Sequence, residues 1–127
     1  MSEIIIEKNI IFHAKDIELA VDEGNLKFLI SVFSKVLENR NIRIKFSDSH
    51  RFFYLSLDED TRNEESNLYI NRNLIEELRD VFLDIKAGNK IDFDHIDYFS
   101  DNDKDGAYLT VKFSESFFVR NIKRELE

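Results

Sequence analysis

Two periods of apolar residues, one helical and one extended, follow each other along this chain in the same order twice. The clearer run lies between Leu68 and Phe113. Leu68–Ile70 is a short apolar strand. Leu74, Ile75, Leu78, Phe82 and Ile85 then share one helical stripe, with Glu76, Glu77, Arg79, Asp80, Asp84 and Lys86 turned away from it. Asn73, with Glu76 three residues on, has the form of a capping box. Gly88 suits the left-handed residue that closes a helix. Ile91, Phe93 and His95 alternate with Asp92 and Asp94 at strand period. After a charged turn, Leu109, Val111 and Phe113 alternate with Tyr108, Thr110 and Lys112.

An earlier run, Ile17–Leu57, follows the same plan. Ile17, Leu19 and Val21 predict a strand. Asp22 or Asn25 caps a helix with the stripe Leu26, Leu29, Ile30, Phe33, Val36 and Leu37, and Asn39–Asn41 closes it. Ile42, Ile44 and Phe46 alternate with Arg43 and Lys45, and Phe53, Leu55 and Leu57 form the next strand. A shift of 49 residues lays Leu29 on Leu78, Phe33 on Phe82, Val36 on Ile85 and Ile42 on Ile91. One reading is a duplicated β-α-β-β unit, with half-repeats 17–57 and 68–113. The other is that any two amphipathic helices followed by strands align this well. Both predict an α+β fold: a mixed or antiparallel sheet with two main helices packed on one face. The size, 127 residues, fits a single domain, 1–127.

Outside the two runs the pattern is weaker. Ile4–Ile6 and Ile10–Phe12 are apolar triplets around Glu7-Lys8-Asn9, read as a strand pair or a bulged edge strand. Asp58–Asn67 reads as a loop too polar to bury. Phe118, Ile122 and Leu126 stand four apart, which predicts a short C-terminal helix, with a final strand through Phe117–Ile122 as the competing reading.

Composition narrows the function classes. There is no Cys, hence no disulfide framework, thiolate metal site or cysteine nucleophile. Met1-Ser2-Glu3 is acidic, Ile4–Ile6 is too short for a signal-peptide core, and no stretch approaches a membrane span, so a cytoplasmic location is expected. The net charge of −8 argues against direct nucleic-acid binding and fits a basic protein partner. That charge is concentrated. Asp58–Glu65 holds five acids against Arg62, and Asp92–Asp105 holds six aspartates against Lys104. Subtracting −4 and −5 from −8 leaves the rest of the chain at +1. The candidate partner-binding residues are therefore Asp58, Glu59, Asp60, Glu64 and Glu65, together with Asp92, Asp94, Asp97, Asp101, Asp103 and Asp105. Tyr98 and Phe99 stand among them as aromatic anchors.

Other candidate chemistry is thin. Asp101-Asn102-Asp103-Lys104-Asp105-Gly106 opens like an EF-hand loop, but the twelfth position is Lys112 rather than Glu and the flanks read as strands, so a hairpin turn is expected and no metal. Asp94-His95-Ile96-Asp97 could hold a base and its orienting carboxylate, yet no nucleophile stands nearby, and strand alternation would send Asp94 and His95 to opposite faces. No glycine-rich phosphate loop or nucleophile elbow exists, and no cofactor is implied. Arg40, Arg43, Lys45, His50 and Arg51 form the one basic cluster, expected to pair with acids across the sheet.

The run Leu68-Tyr69-Ile70, Asn73-Leu74-Ile75-Glu76-Glu77-Leu78, Gly88-Asn89-Lys90-Ile91-Asp92-Phe93-Asp94-His95-Ile96 and Tyr108–Phe113 resembles small bacterial immunity proteins of polymorphic and contact-dependent toxin systems. It covers a little over a third of the chain. The resemblance implies a cytosolic protein that binds and blocks one cognate toxin, often a nuclease, through an acidic surface; a monomer or weak dimer that is not an enzyme is expected. The alternative expectation is a phage-encoded inhibitor of a bacterial defence nuclease, an anti-CRISPR-like nucleic-acid mimic. A calcium-binding module ranks behind both.

Overall fold

A computed structural model describes residues 2–99 and 108–118. The elements in chain order are β1 (Ser2–Ile6), β2 (Ile10–Phe12), β3 (Asp16–Val21), α1 (Leu26–Glu38), β4 (Ile42–Ser47), β5 (Phe52–Ser56), β6 (Asn67–Tyr69), α2 (Arg72–Lys86), β7 (His95–Phe99) and β8 (Tyr108–Phe113). The fold is α+β, and its strands divide between two mixed four-stranded sheets, ordered β1-β4-β5-β6 and β2-β3-β8-β7. Short 3-10 turns lie at Glu59–Thr61 and Glu115–Phe117.

The sheets repeat one pairing scheme. β4 and β5 form an antiparallel hairpin with β6 parallel beside β5. β7 and β8 form the corresponding hairpin with β3 parallel beside β8. Leu55 pairs with Ile44 and Leu68, as Val111 pairs with Ile96 and Leu19. These matches fit the duplicated reading, since Leu19 and Leu68 are 49 residues apart, the spacing that aligns the helices. Each half surrenders its first strand to the sheet of the other half: β3 lies with β7 and β8, and β6 with β4 and β5.

One buried cluster joins everything. Ile17, Leu19, Val21, Ile44, Phe46, Phe53, Leu55, Leu109, Val111 and Phe113 face inward from the strands. α1 contributes Leu26, Leu29, Val32, Phe33, Val36 and Leu37, and α2 contributes Ile75, Leu78, Phe82 and Ile85. The helices meet where Phe33 and Phe82 pack edge to face, 5.6 Å between centroids, and Phe82 also touches Phe113 at 6.2 Å.

Several local expectations change. The N-terminal strands do not pair with each other. Asn9 at φ 61° turns the chain, so that β1 runs parallel to β4 in one sheet and β2 antiparallel to β3 in the other. The cap of α2 is Asn71, whose side chain accepts from Asn73 N–H, because the helix starts two residues earlier than the Asn73 pattern suggests; Glu76 instead pairs with Arg72 at 2.9 Å. At α1, Asp22 and Asn25 each accept the other's backbone N–H, at 2.9 and 2.8 Å. Gly88 does close α2, at φ 95°. The strand expected from Ile91 begins only at His95. Ile91 and Phe93 face the core outside the ladder, with Phe93 5.8 Å from the Phe113 ring and Ile91 bridged in parallel to Phe118. The C-terminal helix expected over Ser116–Glu127 falls largely outside the described residues. Its described start is a 3-10 turn followed by Phe118 in extended backbone.

A candidate docking face

Each sheet keeps one face in the core and turns the other outward. On the outer face of the β2-β3-β8-β7 sheet the register sets three rows side by side: Asp16, Tyr108 and Phe99; Ile11, Glu18, Thr110 and Asp97; Ala20, Lys112 and His95. Four carboxylates gather here, Asp16, Glu18 and Asp97 with Asp94 at the start of β7, against Lys112 as the one lysine or arginine among the face's described residues. Lys112 pairs with Glu18 at 3.2 Å. Asp97 accepts from the Thr110 hydroxyl at 2.7 Å, and Asp16 from Tyr108, whose ionisation that bond pushes up. His95 stands between Asp94 and Asp97, with Nδ1 2.6 Å from Asp94 Oδ1 and Nε2 3.5 Å from Asp97 Oδ2. Asp94 and His95 therefore meet rather than diverge. Asp94 precedes the strand, so pleat alternation does not govern it, and its bond to the ring holds its carboxyl below the usual range. Phe99 is 62% exposed and rests against Tyr108, 5.0 Å between centroids.

Tyr98 belongs elsewhere. It is buried, its hydroxyl donates to the Leu74 carbonyl at 3.4 Å, and burial, with Glu77 adding to it, pushes its ionisation far up. Of the two expected anchors, Phe99 alone is available at the surface. Asp92 is exposed just before β7, and Asp101, Asp103 and Asp105 lie outside the described residues.

The other expected acidic segment is in a different situation. Asp58–Asn67 is not simply a solvated loop: Asp58, Thr61 and Asn67 are buried. The Thr61 hydroxyl donates to Asp58 O at 2.6 Å, the Asn67 amide donates to Thr61 O at 3.0 Å, and Asp58 Oδ1 accepts from Asp60 N–H at 3.1 Å. Asp58 is therefore committed to capping the turn. Glu59 pairs with Arg62 at 3.1 Å and Glu64 with Arg43 at 3.2 Å, while Asp60 and Glu65 are exposed.

The partners of that loop sit on the outer face of the β1-β4-β5-β6 sheet, which is cationic and aromatic. Arg43 lies 3.6 Å over the Tyr54 ring and also bonds Glu3 at 3.3 Å. Lys45 stands 5.1 Å over Phe52, and Arg62 5.0 Å over Tyr69. The basic cluster thus pairs as expected at Arg43, whereas Arg51 donates to the carbonyls of Phe12 and His13 at 2.9 and 3.0 Å.

Asp16 and Glu18 were missed by counting acidic runs. The alternation Asp16–Val21 carries the signal, since its polar positions must share the face opposite Ile17, Leu19 and Val21. Among the described residues no group of three or more His, Asp or Glu side chains is placed to hold a metal ion, and no helix is long and apolar enough to cross a membrane. Comparison with protein-family models finds no family that matches the chain, and comparisons with curated proteins and with solved structures find no match.

Proposed function

We propose that this chain is a small binding protein that captures a cationic protein through the outer face of the β2-β3-β8-β7 sheet and inhibits it by covering its functional surface. The observation that carries the reading is the gathering of Asp16, Asp94 and Asp97 beside the exposed ring of Phe99, with Lys112 the only lysine or arginine among the face's described residues and already paired to Glu18. Carboxylates around an aromatic anchor steer and hold a basic surface. The role fits the immunity proteins that residues 68–113 resemble, and the partner is then a toxin domain, a nuclease whose substrate cleft is basic.

The test is binding, by biolayer interferometry, to a panel of cationic nuclease toxin domains at low and physiological salt. At least one should bind, more weakly as salt rises. Asp94→Lys with Asp97→Lys should weaken that binding more than tenfold. Tight binding indifferent to both reversals overturns the reading.

A further inference from the structure

One position recurs on the outer faces of the two sheets. In the sheet β1-β4-β5-β6 it is Arg43, whose guanidinium bridges Glu3 at 3.3 Å and Glu64 at 3.2 Å. Ile44 pairs with Leu55 as Ile96 pairs with Val111, so the residue before each, Arg43 in one sheet and His95 in the other, takes the same place. His95 also stands between two carboxylates, with Nδ1 2.6 Å from Asp94 Oδ1 and Nε2 3.5 Å from Asp97 Oδ2. The plan is shared: a basic side chain between two acids. The chemistry differs. An arginine keeps its charge, whereas a histidine changes charge between about pH 5 and 8.

The two states of the ring act differently on the face. A neutral imidazole carries one N–H. The shorter contact, to Asp94, takes it at Nδ1, which leaves the Nε2 lone pair facing the Asp97 carboxylate. A protonated ring donates on both sides and ties Asp94 and Asp97 together. Asp97 Oδ1 meanwhile accepts from the Thr110 hydroxyl at 2.7 Å. The other charged groups near the ring come from β8, β3 and the β2–β3 turn. Lys112 lies directly across from His95 and is held by Glu18 at 3.2 Å. His13 reaches Glu18 at 3.9 Å, on the far side of Lys112. Asp16 accepts from Tyr108, whose ionisation is pushed up, away from this range. The four carboxylates and Lys112 thus sum to −3 with the His95 ring neutral and to −2 with it charged.

We propose that His95 gates the docking face by protonation: its imidazolium occupies Asp94 and Asp97 in mildly acidic solution, and its neutral form frees them for a lysine or arginine of the cationic partner. Partner and imidazolium draw on the same two carboxylates, so binding tightens as pH rises through the histidine range. By linkage the coupling is reciprocal, and binding releases the ring's proton to solvent. The inference rests on the docking reading above and adds regulation to it. Arg43, at the matching place, leaves the other sheet without such a gate.

The test uses the full chain, labelled for NMR, and deca-lysine, whose side chains stay charged from about pH 6 to about pH 8. Affinity is read from the amide shifts of Asp97 and Thr110, which report this face alone. At low salt the probe should bind at least about threefold more tightly at the higher pH. The midpoint of the His95 Cε1–H titration should move to lower pH when the probe saturates the chain. His95→Gln, which keeps a donor for Asp94 but carries no charge, should bind equally at both pH values. His95→Lys should keep the weaker affinity at both, and His13→Gln should leave the pH dependence intact.

Binding that weakens with salt yet is equal at the two pH values overturns the gate and leaves the docking reading in place. So does a pH dependence that survives His95→Gln or vanishes in His13→Gln. If deca-lysine moves neither Asp97 nor Thr110 at low salt and the higher pH, the docking reading falls, and the gate with it.

Discussion

Behind the sheet β1-β4-β5-β6 and behind its counterpart β2-β3-β8-β7 lie residues of the same kind. Ile44, Phe46, Leu55 and Leu68 in one correspond to Ile96, Tyr98, Val111 and Leu19 in the other. In front the two differ in sign. Lys45 matches Asp97, Arg43 matches His95, and Tyr54 matches Thr110. The inward positions are held to apolar volume by close packing, while outward positions can change charge at little cost to stability. The cationic face then acquires its own counterion layer, since the loop from Asp58 to Ser66 brings Glu64 onto Arg43 and pins itself through Thr61 and Asn67. Among the described residues the acidic face gains no such cover. A shared scaffold thus yields one surface whose cations pair with a loop of the same chain and another that, among its described residues, sets four carboxylates against one lysine.

The largest test of this comparison is in the core. Phe33 and Phe82 occupy matching positions and touch each other, so Phe33→Ala and Phe82→Ala should each cost about 3–5 kcal/mol in urea unfolding. A difference greater than about 2 kcal/mol between them would show that the halves are not energetically alike. Next comes the loop that covers the cationic face. Thr61→Val leaves the Asn67 amide short of a partner and should cost about 1–3 kcal/mol, whereas Thr110→Val on the exposed acidic face should stay within about 0.5 kcal/mol. Exchanging the signs, Lys45→Asp or Asp97→Lys, should move stability by less than about 1 kcal/mol in either sheet while reversing which face binds a polylysine probe in a salt-dependent assay.

The smallest effect is in pH. The Asp48 carboxyl is lowered by the N–H groups of His50 and Arg51, and that of Asp94 by the His95 ring. A carboxyl with a folded-state pKa below its unfolded value of 3.8 contributes stability that is present above that value and lost as pH falls through the folded one. Melting temperatures followed downward from pH 5 should therefore drop below about pH 4, and Asp48→Asn should flatten that drop by removing the carboxyl at the β4–β5 turn.

Much of the interior was legible in the sequence. The stripes on both helices are those of Leu29, Phe33 and Val36 and of Leu78, Phe82 and Ile85, because helical period reports burial directly. The 49-residue spacing separates the first strands, Leu19 from Leu68, and the helices, Phe33 from Phe82, but not the hairpins, where Ile44 matches Ile96 and Leu55 matches Val111 at 52 and 56 residues. Strand period, by contrast, tells which face a residue takes but not which strand lies alongside. Neither the division into two sheets nor the separation of Ile4–Ile6 from Ile10–Phe12 could be read from alternation. The site was half legible. Asp94, Asp97 and Phe99 stand where an acidic aromatic surface was expected, but Tyr98 is core, and Asp58 is consumed by its own turn. Polar composition marks a segment as unsuited to burial only while its side chains lack partners, and Asp58, Thr61 and Asn67 supply one another.

The exchanged first strands carry one more implication. Taken alone, either β-α-β-β half would keep its hairpin but leave a strand with nothing of its own to lie against. Such a unit is complete only as a pair, each lending an arm to the other, and joining the two in a single polypeptide makes the embrace permanent. Ile17 must find Leu109 across most of the chain before that sheet exists, and Leu68 must cross to Leu55, so the architecture favours assembly as a whole over assembly by halves.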